Sequence, residues 1–120
     1  MSRQKRIVAF SDKKHIFDTT IVAGVRFCDM AGGDNSHIRK YFVNIQGDRK
    51  ELEKISMEFD LKYLLGILNS KLIKYHLHYN SVGNIDTTPD DWKKIPIKNI
   101  PTNEQKSIIR VVEQIISLNE

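Results

Sequence analysis

Leu61, Leu64, Leu65, Leu68, Leu72 and Tyr75 recur at steps of three and four residues, the spacing that stacks side chains along one face of an α-helix. No other feature constrains the fold as strongly, because the rest of the chain has to cover this apolar stripe. Asp60 stands directly before it, where a carboxylate can accept from the free N–H groups of a first helical turn. Gly66 lies inside the run and costs a helix about 1 kcal/mol relative to alanine, a cost met where another backbone must approach closely. A second helix is predicted after Pro101, with Thr102 and Gln105 spaced as a capping box. Ile108, Val111, Val112, Ile115 and Leu118 form its apolar face, and Lys106, Arg110, Glu113, Gln114 and Ser117 its wet one.

Upstream the pattern changes. Segments 6–10 and 16–27 are short and β-branched and are joined by a polar turn, and 40–46 alternates Tyr41, Val43 and Ile45 with Phe42, Asn44 and Gln46. These read as three strands, with a Gly/Asp/Asn-rich loop over 29–36. Segment 49–58 carries Leu52 and Ile55 at helical spacing and is read as one or two turns of helix, while 80–91 is a long turn-rich stretch. Ile95, Pro96 and Ile97 suit a short edge strand, since proline cannot donate to a ladder. The predicted fold is α+β: a small mixed or antiparallel sheet with a central leucine-rich helix and a C-terminal helix. At 120 residues, 1–120 is expected to be a single domain.

Charge and cysteine content narrow the setting. Lysine and arginine (19) exceed aspartate and glutamate (15), for a net charge of +4, which permits a polyanionic partner without requiring one. Cys28 is the single cysteine, so no internal disulfide can form. The best apolar run, 61–77, is interrupted by Lys62, Lys71 and Lys74, so no membrane span is expected, and the chain is read as cytoplasmic.

Enzyme chemistry finds few footholds. The six glycines form no G-x-G and no phosphate-cradling P-loop, which argues against a cofactor in this chain. Asp91-Trp92-Lys93 spells the Asp-x-Lys of metal-dependent nucleases, but its acids sit in a Pro/Thr turn, and a polar turn is the better reading. Asp60-Leu61-Lys62 has the same spelling and is better read as a cap. His76 and His78 fall at a helix end, where neighbours diverge by about 100°, so a metal pair is not expected, and Cys28 has no nearby histidine to activate it. What remains is a basic surface. Lys13, Lys14, Arg39, Lys40, Lys93 and Lys94 sit at predicted loops and element ends where they could neutralise phosphates, and Asn35, His37 and Asn84 could touch base edges.

Two segments bring a resemblance. Asp60-Leu61-Lys62-Tyr63-Leu64-Leu65-Gly66-Ile67-Leu68-Asn69-Ser70-Lys71-Leu72-Ile73, with its Leu-Asn-Ser triplet, resembles a helix of the C-terminal target-recognition (specificity) domains of TaqI-like adenine DNA methyltransferases and fused restriction-modification enzymes. Lys94-Ile95-Pro96-Ile97 followed by Ile100-Pro101-Thr102-Asn103-Glu104-Gln105-Lys106 resembles the stretch that ends those domains and the related halves of type I restriction specificity subunits. The resemblance implies a non-catalytic DNA sequence-recognition domain, the C-terminal portion of one, that positions a methyltransferase or methylase-nuclease on its target in the prokaryotic cytoplasm. The implied partners are double-stranded DNA and a methyltransferase domain or subunit in cis or in trans. S-adenosylmethionine would belong to that separate catalytic domain, and the parent would be an adenine methyltransferase or a type II restriction enzyme. Only structural positions carry over: Leu68, Asn69 and Ser70 to the helix, and Pro101, Glu104 and Gln105 to the start of the last one. A protein-interaction or scaffold module docking through its C-terminal helix is the competing reading.

Overall fold

The computed structural model describes residues 8–11, 13, 23–43, 45, 47–80 and 88–119. A 3₁₀ turn at Phe27–Met30 precedes six helices: α1 Ser36–Val43, α2 Arg49–Met57, α3 Leu61–Leu68, α4 Lys71–Asn80, α5 Pro89–Lys93 and α6 Thr102–Leu118. Two compact units result, one containing residues 60–119 and the N-terminal residues from Val8, the other Ala23–Phe59.

No strand occurs among the described residues, so the predicted α+β sheet gives way to an all-helical fold. The third expected strand, 40–46, overlaps α1 instead. Asn35 decides this locally, because its Oδ1 accepts from the Ile38 N–H at 2.9 Å and satisfies a first-turn donor. A few alternating residues do not outweigh a helix start. Of the first two strands, residues 6, 7 and 16–22 lie outside the described residues, while 8–10 and 23–26 have no regular structure and Phe27 opens the 3₁₀ turn. Ile95, Pro96 and Ile97 have no ladder partner among the described residues; Ile95 is buried against Ile73 and Leu77, so the segment serves as apolar packing and not as a strand.

In the first unit, the leucine stripe is split into two helices. Asp60 caps α3 as its position implied, accepting from the Lys62 N–H at 2.7 Å. The helix then stops at Asn69. Its side chain donates to the Leu65 carbonyl at 3.1 Å and to the Val8 carbonyl at 2.8 Å, while its Oδ1 accepts from the Val8 N–H at 3.0 Å. Ser70 opens α4, its Oγ accepting from the Ile73 N–H at 3.3 Å. The Leu-Asn-Ser triplet is therefore a break between helices: Leu68 packs partly buried on the core, Asn69 ends one helix and Ser70 starts the next. The rotation introduced there leaves Ile73 and Leu77 buried and puts Leu72 and Tyr75, expected on the inner stripe, in solvent.

α3 packs against α6, and each contributes a buried side chain, Tyr63 from α3 and Val112 from α6. Tyr63 is held at its polar end by donating from its hydroxyl to the Lys98 carbonyl at 2.8 Å. Gly66 is the point of closest approach, for a Cβ there would lie 2.9 Å from both Ile108 Cγ2 and Val112 Cγ2. Those methyls sit on β-branched side chains whose χ1 is nearly fixed in a helix, so they cannot swing away. Gly66→Ala is expected to destabilise this unit by about 1–3 kcal/mol through overpacking, against the preference of a helix for alanine. An urea midpoint equal to or above that of the wild type would show that the helices can separate without cost.

The expected capping box at Thr102 does not form. Pro101 precedes α6 without a side-chain cap, and Gln105 is turned inward to full burial, at 0% exposure. There its Oε1 accepts from the Asp60 N–H at 3.1 Å and its Nε2 donates to the Ile100 carbonyl at 3.0 Å. A capping box exists elsewhere, on α5: the Asp91 N–H donates to Thr88 Oγ1 at 3.4 Å and the Thr88 N–H to Asp91 Oδ2 at 2.8 Å. Pro89, first in that helix, suits the position because its absent N–H would have gone unused.

The second unit buries no described side chain completely and is tied by arginines. Arg49, on α2, stacks its guanidinium 4.7 Å from the Phe42 ring centroid, donates to the Gly33 carbonyl at 2.8 Å and pairs with Glu53 at 2.9 Å. Arg26 pairs with Asp29 at 2.7 Å and donates to the Phe59 carbonyl at 2.7 Å. The hydrogen bond from Arg26, reinforced by its charge, holds the Asp29 carboxyl below its ordinary value of 3.8. A lowered carboxylate pKa adds stability above the unfolded value and forfeits it as pH falls through the folded one. Asp29→Asn is thus expected to cost this unit about 1 kcal/mol or less at neutral pH, with the difference shrinking as pH falls below the ordinary value of 3.8 and through the lowered one. Chemical denaturation of both proteins across that range checks it.

Candidate nucleic-acid interface

The sequence-derived contact residues fall into two sets. On α1, Asn35 precedes the helix and His37, Arg39 and Lys40 follow within its first two turns, all exposed. Arg39 is already paired, 2.8 Å from Asp34, and also donates to the Asp34 carbonyl at 3.2 Å. Asn35 spends one acceptor lone pair on its cap, so it keeps its amide donor and one further lone pair. Lys40 stands in the last turn of α1, where a cation also suits the negative end of the helix.

In the first unit, Lys93 and Lys94 close α5 side by side and both are exposed. Lys93 lies 3.7 Å from Asp90 one turn earlier, and Lys94 follows as the C-cap residue, its backbone N–H donating to the Asp90 carbonyl at 3.3 Å. Lys13 is exposed, whereas Lys14 and Asn84 lie outside the described residues. The structure thus brings Lys93 next to Lys94, and Asn35, His37, Arg39 and Lys40 along one short helix.

Other acidic and histidine groups have structural employment. Asp91, from the Asp-x-Lys spelling, is buried and its Oδ2 is engaged by the Thr88 N–H. His76 lies 3.4 Å from the Asn80 amide, and the His78 ring meets Tyr79 edge-on at 4.8 Å. Among the described residues no three His, Cys, Asp or Glu side chains gather as metal ligands, and no helix is long and apolar enough to cross a membrane. Lys62 is held above its ordinary value by donating to Glu113 at 2.7 Å, which ties α3 to α6 at the surface.

The chain matches no family model, no curated protein and no solved structure. The residues carrying the resemblance to target-recognition domains are structural in this fold. Leu68, Asn69 and Ser70 build the α3–α4 break, and Pro101 and Gln105 build the entry to α6, with Pro101 accepting from the Glu104 N–H at 2.9 Å. Sequence reasoning missed Gln105 as a buried bridge, and its position one turn into an amphipathic helix gave no sign of it. It also missed the exposed apolar residues of two helices. Leu72, Tyr75 and Tyr79 on α4 stand in solvent, and so do Val111, Ile115 and Leu118 on α6. Val111 and Ile115 line a groove of about 610 Å³ together with Leu65, Gly66, Ile108 and Val112.

Proposed function

We propose that this chain is a non-catalytic DNA sequence-recognition module of the restriction-modification type, working with a methyltransferase domain or subunit supplied in cis or in trans. The observation that carries the reading is the placement of its two motif segments. They pack against each other as α3 and α6 and make the framework of the first unit, with Gln105 locked between Asp60 and Ile100. Lys93 and Lys94 are held at the surface immediately before the apolar Ile95, in the segment that leads into that framework. A framework built from the resembling segments and carrying cations on its surface is the division of labour the resemblance implies: a scaffold that holds phosphate contacts in position while polar side chains specify.

Fluorescence anisotropy of labelled duplex DNA against the full chain tests this. Affinity is expected to fall steeply between about 50 and 200 mM salt, with a log–log slope of about −0.9 for every phosphate engaged. Absence of duplex binding at the lower salt would overturn the reading. A second reading, docking on a protein partner through α6, is favoured by one observation: Ile108, Val111, Ile115 and Leu118 repeat at steps of three, four and three, and the last three are exposed. Such a seam is that of a helix that pairs with another helix, and binding through it would respond little to salt.

A further inference from the structure

The break at Asn69 and Ser70 turns α4 so that Ile73 and Leu77 face the core. At about 100° per residue, six of the eight remaining positions order themselves around the helix as Lys74, His78, Lys71, Tyr75, Tyr79 and Leu72, with His76 and Asn80 following between Leu72 and Ile73. These six residues fill an exposed arc of roughly 160°, apart from Leu72 sharing its edge with the half-buried His76. One flank of the arc is cationic, with Lys71 and Lys74; the other is aromatic and apolar, with the Tyr75 and Tyr79 rings tilted against each other at 4.4 Å between centroids and Leu72 beside them. α4 contains no acidic residue, and neither lysine has an ion-pair partner among the described residues. The acids of the adjoining α5 are engaged elsewhere, Asp90 beside Lys93 and Asp91 on Thr88. Large apolar and aromatic side chains do not normally stand in solvent together without a partner, and unneutralised lysines beside them specify that the partner is anionic.

We propose that α4 is the helix that enters the major groove of duplex DNA, with Lys71 and Lys74 on the phosphates of one wall and Tyr75, Tyr79 and Leu72 against base edges. This inference rests on the DNA-binding reading above and assigns it an element that the contacts on α1 and α5 do not include. The dimensions agree: ten residues give a rod about 15 Å long and, with side chains, about 10–12 Å across, and the major groove is about 12 Å wide. The side chains agree too. Tyrosine hydroxyls donate and accept at base edges, and an aliphatic group can meet the thymine methyl. An anionic membrane is the weaker match, because helices that lie in the lipid interface present Trp, Phe and several leucines, whereas this face offers one leucine and two hydroxyl-bearing rings.

The test uses the full chain and a mixed-sequence duplex. Lys71→Ala/Lys74→Ala is compared with Lys106→Ala/Arg110→Ala, which removes two exposed cations from α6. Thermal melts followed by circular dichroism should coincide with wild type for both, since all four side chains are exposed. The first pair is expected to make the salt slope shallower by about 1.8, or two phosphate contacts, and the second to leave it unchanged. Acetylation read by mass spectrometry should show Lys71 and Lys74 shielded by the duplex and Lys106 still reactive. Equal effects of the two pairs, or duplex binding that leaves Lys71 and Lys74 reactive, would overturn the α4 placement and leave the DNA-binding reading standing. Shielding by anionic phospholipid vesicles as strong as that by DNA would overturn the assignment of the partner. Failure of the wild-type chain to bind duplex at any salt would overturn both readings together.

Discussion

Gln105→Leu is expected to destabilise the first unit by about 2–4 kcal/mol, the largest effect of any substitution that preserves side-chain volume. Gln105 is fully buried and bridges two backbone groups 40 residues apart, the N–H of Asp60 and the carbonyl of Ile100. Leucine fills the same space but offers neither acceptor nor donor. Each backbone group left without its partner costs about 1–3 kcal/mol, and the extra methyls recover only part of that. The fluorescence of Trp92, the single tryptophan, which packs against the Ile73, Leu77 and Ile95 cluster, reports the transition. A urea midpoint within error of wild type would mean that water replaces both bonds. Gln105→Glu sharpens the test. The carboxylate still accepts from Asp60 N–H, yet when ionised it faces the Ile100 oxygen with no proton to donate. Burial beside the Ile100 oxygen raises that carboxyl, so its stability deficit should shrink as pH falls toward the ordinary glutamate value of about 4.3, because the protonated acid can donate again.

Helices with strong local signals were legible in the sequence. Asp60 caps α3, Ile108 and Val112 lie on the inner side of α6, and the charged segment 49–58 contains α2. The errors share a physical cause, the reading of periodicity without the polar residue that interrupts it. Six apolar residues over 61–75 look like one stripe, but Asn69 and Ser70 satisfy backbone groups at a helix end and a helix start, and the break between them resets which side of the chain faces inward. The alternation in 40–46 was outweighed by the cap that Asn35 supplies to α1. Thr102 and Gln105 have the spacing of a capping box, yet Gln105 gains more by bridging Asp60 and Ile100, a long-range pairing that no local pattern encodes. Of the candidate site residues, Lys13, Asn35, His37, Arg39, Lys40, Lys93 and Lys94 are exposed. The aromatic and apolar side of α4 is hidden from the sequence for the same reason as the helix break: on an unbroken stripe Leu72 and Tyr75 belong to the core.

A pair of leucines on one helix separates these two accounts of the chain. Leu77→Ala is expected to cost about 2–5 kcal/mol, the range for truncating a buried leucine, because Leu77 is 2% exposed and lies at the centre of the cluster with Ile73 and Ile95. Leu72→Ala is expected to change stability by no more than about 0.5 kcal/mol, because Leu72 is 74% exposed, and alanine suits a helix at least as well. An unbroken stripe from Leu61 to Tyr75 requires the opposite order, with Leu72 in the core between Leu68 and Tyr75. Equilibrium unfolding of both variants followed at Trp92 decides it. If Leu72→Ala proves as damaging as Leu77→Ala, then α3 and α4 are one continuous helix, Leu72 and Tyr75 are core residues, and the exposed arc on α4 disappears with the break that created it.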